Sequence, residues 1–147
     1  MLDLQEISDR IEIQELLVRY SIAIDSKQFA DLEPLFADDA ECDYGSLGSP
    51  KGPVAIATLI KNTLNGLDQT QHLVGSSVIV LDGDSASVRT YLISQHIRTA
   101  TPGVTHYFIG GEYVDTVIRT PDGWKFRTRR LDRMWSEGNR EVIVRPS

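Results

Sequence analysis

The hydrophobic periodicity of the chain changes close to Gly66, and this change constrains the fold more than any single motif. Before Gly66, apolar residues recur at steps of three and four, which is the spacing of an amphipathic helix. After it, four segments have the composition of strands, at residues 72–81, 85–99, 104–120 and 124–135. Helices followed by a meander of long strands predict an α+β fold, with the helices on one face of an antiparallel sheet.

Short turn sequences separate the four strand segments. Asp82-Gly83-Asp84 and Pro121-Asp122-Gly123 have the composition of hairpin turns, and residues 100–103 form a third short link. Gly110-Gly111, in contrast, lies inside a strand pattern and predicts a bend or bulge of the sheet.

The first of three expected helices carries an apolar face and begins either at Ser8 and Asp9 or nearer to Asp3. Its face consists of Ile7, Ile11, Ile13, Leu16, Leu17 and Tyr20. This face is expected to pack against the sheet.

The segment between this helix and the strands is less regular. A short helix at residues 29–36 is shortened or kinked by Pro34, and we expect a polar turn at residues 37–40 and a short strand at residues 40–44. A loop follows up to Pro53. Because the missing N–H of proline suits the first helical position, we expect a third helix from Pro53 to Leu64.

Length and charge limit the classes of protein. A chain of 147 residues fits a single domain, which we expect to span residues 1–147. The net charge of −6 argues against a general affinity for nucleic acid. Since no apolar run is long enough to cross a membrane and the N-terminus lacks the form of a signal peptide, we expect no membrane partner and a cytoplasmic location.

Cysteine and histidine usage limits the metal chemistry. The single cysteine, Cys42, excludes an intrachain disulfide, and its acidic neighbours Glu41 and Asp43 favour a packing role. The three histidines are widely dispersed and lack the spacing of metal ligands, so we expect no metal site.

One basic segment covers residues 125–130 and continues at Arg133. In a strand these charges divide between two faces. We therefore expect a solvated face with one arginine that points inward; a surface patch that binds anions is the alternative.

Two distant residues suggest acid–base chemistry. Asp25 ends a helical pattern, and His72 opens a strand pattern. A carboxylate that accepts a hydrogen bond from one imidazole nitrogen leaves the other nitrogen free to take a proton. The alternative is that His72 is a core histidine whose hydrogen bond goes to a backbone carbonyl.

Four short phrases, at residues 20–25, 43–46, 70–75 and 123–126, resemble the SnoaL-like branch of the nuclear transport factor 2-like superfamily. Within that branch the chain is similar to scytalone dehydratases, bile-acid dehydratases and hexachlorocyclohexane dehydrochlorinases. The resemblance implies a cone-like curved mixed β-sheet that wraps around a pocket, with the N-terminal helices closing its narrow side.

The resemblance also implies catalytic roles. His72 would be the base that removes a proton from the substrate, and Asp25 would orient it. Tyr20 would donate a hydrogen bond to a carbonyl, to a developing oxyanion or to a leaving hydroxyl. A packing role is the alternative for Tyr20.

Three further residues are implied to contact the substrate. Tyr44 and His96 match positions of scytalone dehydratases, and Arg129 matches an arginine of the dehydrochlorinases that would stabilise a departing anion. Arg130 takes its place if the strand carries a bulge. The alternative for Tyr44 is an aromatic residue that lines the loop, and the alternative for Arg129 is a surface charge. His106 is expected to be structural or near the cavity wall.

The chain departs from these families at defined positions. Ile24 stands where scytalone dehydratases have a tyrosine, and the dehydrochlorinases match neither Tyr20 nor Tyr44. The resemblance therefore implies the pair of His72 and Asp25 but not the identity of the substrate.

Together these features predict a cofactor-independent, dehydratase-like lyase that acts on a small hydrophobic cyclic substrate. The alternatives are an isomerase of the ketosteroid-isomerase type or a polyketide cyclase using the same pocket, and a non-catalytic small-molecule binding protein. We also expect a homo-oligomer, either a trimer or a dimer. The apolar tail at residues 142–144 is expected to close the cavity or to pack on a neighbouring subunit.

Overall fold

Helix α1 (Leu4–Asp25) begins at a capping box. The Asp3 carboxylate accepts a hydrogen bond from the Glu6 N–H at 2.8 Å, and the Glu6 carboxylate accepts one from the Asp3 N–H at 2.9 Å. Of the two expected starts, the one near Asp3 is confirmed. The computed structural model describes residues 1–145 of the chain.

The buried face of α1 differs from the prediction in its first two turns. Ile7 and Ile11 are 41% and 53% exposed, so their assignment to the core was wrong. Asp9 is buried on this part of the helix instead, because the Arg119 guanidinium binds its carboxylate through two hydrogen bonds of 2.7 and 2.8 Å. From Ile13 onward the expected apolar face is buried.

The five strands form one mixed sheet in the order β1-β5-β4-β3-β2. Strand β1 is parallel to β5, and every other neighbouring pair is antiparallel. This confirms the curved mixed sheet that the resemblance implied. The strands are β1 (Phe36–Asp43), β2 (Gln69–Asp82), β3 (Ser85–Ile97), β4 (His106–Thr120) and β5 (Gly123–Gly138).

In the region before β2, the two expected helices are present and one other prediction is wrong. Helix α2 (Pro53–Leu64) has Pro53 in its first turn, as expected. The short helix is the 3₁₀ segment Phe29–Leu35, but the polar turn expected at residues 37–40 does not form, because β1 already begins at Phe36. Two more 3₁₀ turns lie at Gly45–Leu47 and Arg140–Val142.

The expected irregularity at Gly110-Gly111 is present as a β-bulge between β4 and β5. Gly110 pairs with Trp135 while Gly111 pairs with Arg133, so Met134 is the extra residue of β5. A Cβ atom on Gly110 would lie 2.2 Å from the Trp135 indole. The glycine therefore permits the close approach of the indole at this bend.

The core lies between the helices and the inner face of the sheet. The outer face of the sheet, in contrast, exposes several large apolar side chains. These are Leu73, Val78, Val80, Tyr91, Ile93, Met134 and Trp135, and we call them the outer apolar patch. Leu73, Ile93, Gly110 and Trp135 stand side by side in one cross-strand row.

Candidate active site

The end of α1 meets the beginning of β2 at Asp25 and His72. The Asp25 carboxylate accepts three hydrogen bonds from β2: from His72 Nδ1 at 2.7 Å, from the His72 backbone N–H at 2.8 Å and from Thr70 Oγ1 at 3.0 Å. Thr70 and His72 are two residues apart in a strand, so their side chains lie on the same face. The pairing expected from the sequence is therefore present in the fold.

This contact defines the proton positions on the His72 ring. An ionised carboxylate only accepts hydrogen bonds, so Nδ1 carries the proton and Nε2 of the neutral ring has a free lone pair. Burial alone would raise the pKa of Asp25, but the hydrogen bonds from His72 and Thr70 outweigh it and lower the pKa of that carboxyl. Asp25 is therefore ionised near neutral pH and holds Nδ1, which leaves Nε2 as the ring nitrogen without a bond to the carboxylate.

His72 borders a cavity between the sheet and the helices. The cavity has a volume of about 70 Å³. Its wall is mainly apolar, with Ile24, Leu47, Leu59, Ile60, Leu64, Ile109 and Ile143. The polar contributions come from Tyr20, Tyr44, Thr63, His72, His96 and Tyr113. Such a cavity suits a small apolar ring that carries a few polar groups.

Two of the phenols are joined by a hydrogen bond. The Tyr20 and Tyr44 hydroxyls are 2.7 Å apart, so one donates to the other and the second O–H remains free to donate to a ligand. Burial raises the pKa of both phenols well above the ordinary value, and both hydroxyls stay protonated. The structure thus brings both predicted tyrosines to the cavity as hydrogen-bond donors.

His96 lies beside His72, with the two ring centroids 5.5 Å apart and the rings nearly perpendicular. Its Nδ1 donates a hydrogen bond to the Tyr107 carbonyl oxygen at 2.9 Å. Burial, together with the neighbouring His72, lowers the pKa of His96 to about 4. His96 is therefore neutral near pH 7.

Arg129 is the one inward arginine of the basic segment, but it does not border the cavity. Its guanidinium lies behind the aromatic rings, with Cζ 3.6 Å from the Tyr113 centroid, 4.2 Å from Tyr20 and 4.3 Å from Phe126. Asp115 binds it through two hydrogen bonds of 2.9 and 3.1 Å, and both side chains are fully buried.

The guanidinium keeps its charge in the core, while burial raises the pKa of the Asp115 carboxyl. Burial alone would lower the pKa of Arg129, but the Asp115 carboxylate outweighs burial and raises it. Arg130 is exposed and pairs with Asp132. Arg130 is therefore the surface charge of this segment, and Arg129 is the inward residue.

Two residues of this region were missed by the sequence analysis. Tyr113 borders the cavity, and burial raises its pKa to about 12. Asp115 anchors the arginine behind it. Both lie on the inner face of β4 at even steps from Tyr107, and this period of two was the available signal.

The remaining expectations have simple outcomes. Cys42 is buried, and burial raises the pKa of its thiol to about 11, in agreement with a packing role. His106 is half-buried and is absent from the cavity lining, whereas Ile143 of the apolar tail borders the cavity. Within residues 1–145, no cluster of ligating side chains could hold a metal ion, and no helix has the length and apolarity to cross a membrane.

Comparisons with known proteins give the family context. The family model described as a SnoaL-like domain matches residues 5–130. An uncharacterized protein of Mycobacterium tuberculosis is 39% identical over 130 residues, which cover 88% of each chain.

Two solved structures share the fold. The hexachlorocyclohexane dehydrochlorinase LinA-type3 of Novosphingobium barchaimii is 20% identical with a TM-score of 0.83, covering 99% of this chain and 100% of its own. A "putative scytalone dehydratase" of Novosphingobium aromaticivorans is 22% identical with a TM-score of 0.82, covering 90% and 89%. At this level of identity the likeness establishes the cone-like architecture.

Proposed function

Because the chain belongs to the SnoaL-like domain family, we propose that it is a cofactor-independent, dehydratase-like lyase acting on a small hydrophobic cyclic substrate. One observation carries the proposal: a carboxylate holds one nitrogen of His72 at 2.7 Å while the same ring borders an apolar cavity. This is the arrangement of a general base and its orienting partner.

The proposed reaction is an elimination. Nε2 of His72 takes a proton from a ring carbon next to a carbonyl, and the electrons of the C–H bond form the new double bond. The leaving group on the adjacent carbon departs with its own bonding pair. When that group is hydroxide, the imidazolium returns the proton to it and water is released. Asp25 stabilises the imidazolium between these two steps.

The phenols supply the complementary donors. As carbonyl oxygen gains negative charge during proton removal, the free hydroxyl of the Tyr20 and Tyr44 pair donates a hydrogen bond to it. Arg129 acts through the rings of Tyr20 and Tyr113, which its guanidinium contacts. We therefore assign Arg129 a positioning role rather than direct contact with a leaving anion.

The test uses β-hydroxycyclohexanone and fused two-ring β-hydroxy ketones as probes. Elimination yields a conjugated enone, which is measured by its ultraviolet absorbance. We expect turnover by the parent protein and a loss of about 10²–10⁴-fold in His72→Ala. Asp25→Asn should lose activity while remaining folded. The matched control is His106→Ala, because His106 is absent from the cavity lining and should leave turnover unchanged.

The alternative functions give different products. An isomerase would convert the β,γ-unsaturated cyclohexenone into the conjugated ketone without releasing water, and a cyclase would form a new carbon–carbon bond. A binding protein would retain its affinity for the probes in the His72→Ala variant and show no turnover. Parent-like turnover by folded His72→Ala and Asp25→Asn variants would refute the base assignment.

We also propose that the chain self-associates through the outer apolar patch, as a trimer or a dimer. The patch exposes seven large apolar side chains on one face of the sheet, and large exposed apolar patches are rare on monomers. Light scattering after size exclusion should give a multiple of 16.4 kDa. A Tyr91→Glu change should shift the mass towards the monomer, and a parent protein that is monomeric at high concentration would rule the proposal out.

A further inference from the structure

The hydrogen bond of His96 limits what this residue can do in the cavity. A carbonyl oxygen only accepts hydrogen bonds, so the 2.9 Å contact with the Tyr107 carbonyl requires the proton to be on Nδ1. In the neutral ring, Nε2 then has a lone pair and no proton. Nε2 has no hydrogen-bond partner among residues 1–145, and His96 borders the cavity.

We propose that His96 is an acceptor that selects substrates carrying a hydrogen-bond donor, a hydroxyl or an amine, on a ring carbon other than the one that loses the leaving group. This inference rests on the proposed function and names the substrate class for it. It also changes the expected role of His96, since a ring nitrogen without a proton cannot stabilise a developing oxyanion by donation.

The donor on the substrate must be separate from the leaving group. An acceptor that binds a departing hydroxyl increases the negative charge on its oxygen and makes it a poorer leaving group. The protonated His72, in contrast, can give a proton to that group. His72 and His96 therefore serve different substrate atoms, although their rings are neighbours at 5.5 Å.

The cavity consequently presents an ordered set of polar groups. Nε2 of His72 meets the acidic C–H, Nε2 of His96 meets a donor group, and the phenol pair of Tyr20 and Tyr44 meets the carbonyl oxygen. The rest of the wall is apolar apart from the hydroxyls of Thr63 and Tyr113. A ring that lacks the donor leaves Nε2 of His96 buried without a partner, which weakens its binding.

Three probes separate the donor from the rest of the ligand: γ-hydroxycyclohexanone, γ-methoxycyclohexanone and γ-methylcyclohexanone. All three have a carbonyl and acidic α-protons, and the γ substituent is not the leaving group of a β-elimination. Binding is measured by NMR titration, and α-proton removal by exchange with deuterium from the solvent. The first measurement tests His96, and the second tests the base.

We expect the hydroxyl probe to bind roughly two- to tenfold more tightly than the methoxy probe, which is the contribution of one hydrogen bond. His96→Phe should abolish this preference. His72→Ala should abolish the exchange and keep the preference. The control variant His106→Ala should change neither.

A second measurement does not depend on variants. In ¹⁵N NMR of the parent protein, the ring of His96 should be neutral with its proton on Nδ1, and Nε2 should shift when the hydroxyl probe is added. A proton on Nε2, equal affinity for the hydroxyl and methoxy probes, or no affinity for either overturns the inference. Absence of α-proton exchange despite an intact preference refutes the base assignment alone.

Discussion

Replacing Asp115 by alanine is expected to lower the free energy of unfolding by about 3–5 kcal/mol, because it leaves an unpaired cation in the core. The Asp115 carboxylate makes both hydrogen bonds to Arg129, at 2.9 and 3.1 Å, and neither side chain is exposed to solvent. The contacts of the guanidinium with three aromatic rings remain, but cation–π contacts of about 2 kcal/mol do not replace water or a carboxylate.

The companion variant removes both charges. Asp115→Leu combined with Arg129→Met replaces the pair by apolar groups, and we expect it to recover most of the lost stability. The matched control is Asp39→Ala. Its ion pair with Arg127 has a similar length of 2.9 Å, but the two side chains are 60% and 54% exposed. Breaking this pair should cost no more than about 1 kcal/mol.

Urea unfolding provides the free energies by linear extrapolation, with the slope m compared among the variants. A loss in Asp115→Ala no greater than that in Asp39→Ala would show that the buried cation is tolerated and would refute the reasoning. The double variant Asp115→Leu with Arg129→Met also allows a measurement of activity. If it is folded and stable, its turnover measures what the positive charge behind the phenols contributes to the reaction.

Three further predictions concern other parts of the molecule. The hydrogen bonds from Arg119 lower the pKa of Asp9 to about 2. The ionised carboxylate should therefore contribute about 2 kcal/mol to the free energy of unfolding at neutral pH, and this contribution should be lost as the pH falls from about 4 to 2. In Asp9→Asn the melting temperature should no longer fall through this contribution over that pH range. Gly110→Ala should destabilise by about 1–3 kcal/mol, measured by thermal unfolding, because the new methyl group meets the Trp135 indole; an unchanged melting temperature would contradict this. Thr70→Val should raise the pKa of the Asp25 carboxyl, measured by ¹³C NMR titration, because it removes one of the hydrogen bonds that lower that pKa; Thr70→Ser should restore the parent value.

The strands were predictable because alternation and turn chemistry act locally. Each of the last four strands appears in the sequence within a few residues of its observed bounds. Strand β1 was predicted too short for a physical reason. It lies at the edge of the sheet and two of its residues, Asp38 and Asp39, are exposed, so its first half has the composition of a turn.

The error at Ile7 and Ile11 has a different origin. Periodicity defines a helical stripe, but it does not say where along the helix the sheet stops covering that stripe. The carboxylate of Asp9, which the sequence offered only as a possible start of the helix, occupies this region through its contact with Arg119. Ion pairs between residues 110 positions apart leave no trace in local spacing.

The site was predictable to the extent that it consists of short phrases. Asp25 and His72 each stand in such a phrase, and their contact follows once the helix end and the strand start are adjacent. The setting of Arg129 was not predictable, since its partner Asp115 and the ring of Tyr113 belong to another strand. Strand alternation assigned a face to these residues but not the depth at which each side chain ends.

The arrangement of hydrogen-bond donors and acceptors in the cavity is determined by the element that supplies each polar side chain and by the partner that fixes its proton. Strands β2 and β3 supply two imidazoles whose Nδ1 protons are already bound, by Asp25 and by the Tyr107 carbonyl, so both present acceptors. Helix α1, strand β4 and the residue after β1 supply phenols, which burial keeps protonated as donors. In the reaction that we propose, the substrate would therefore have one favourable orientation, with its carbonyl towards the phenols and its acidic C–H and donor group towards the imidazoles. The sheet fixes that orientation because the two imidazoles stand on neighbouring strands and cannot exchange places.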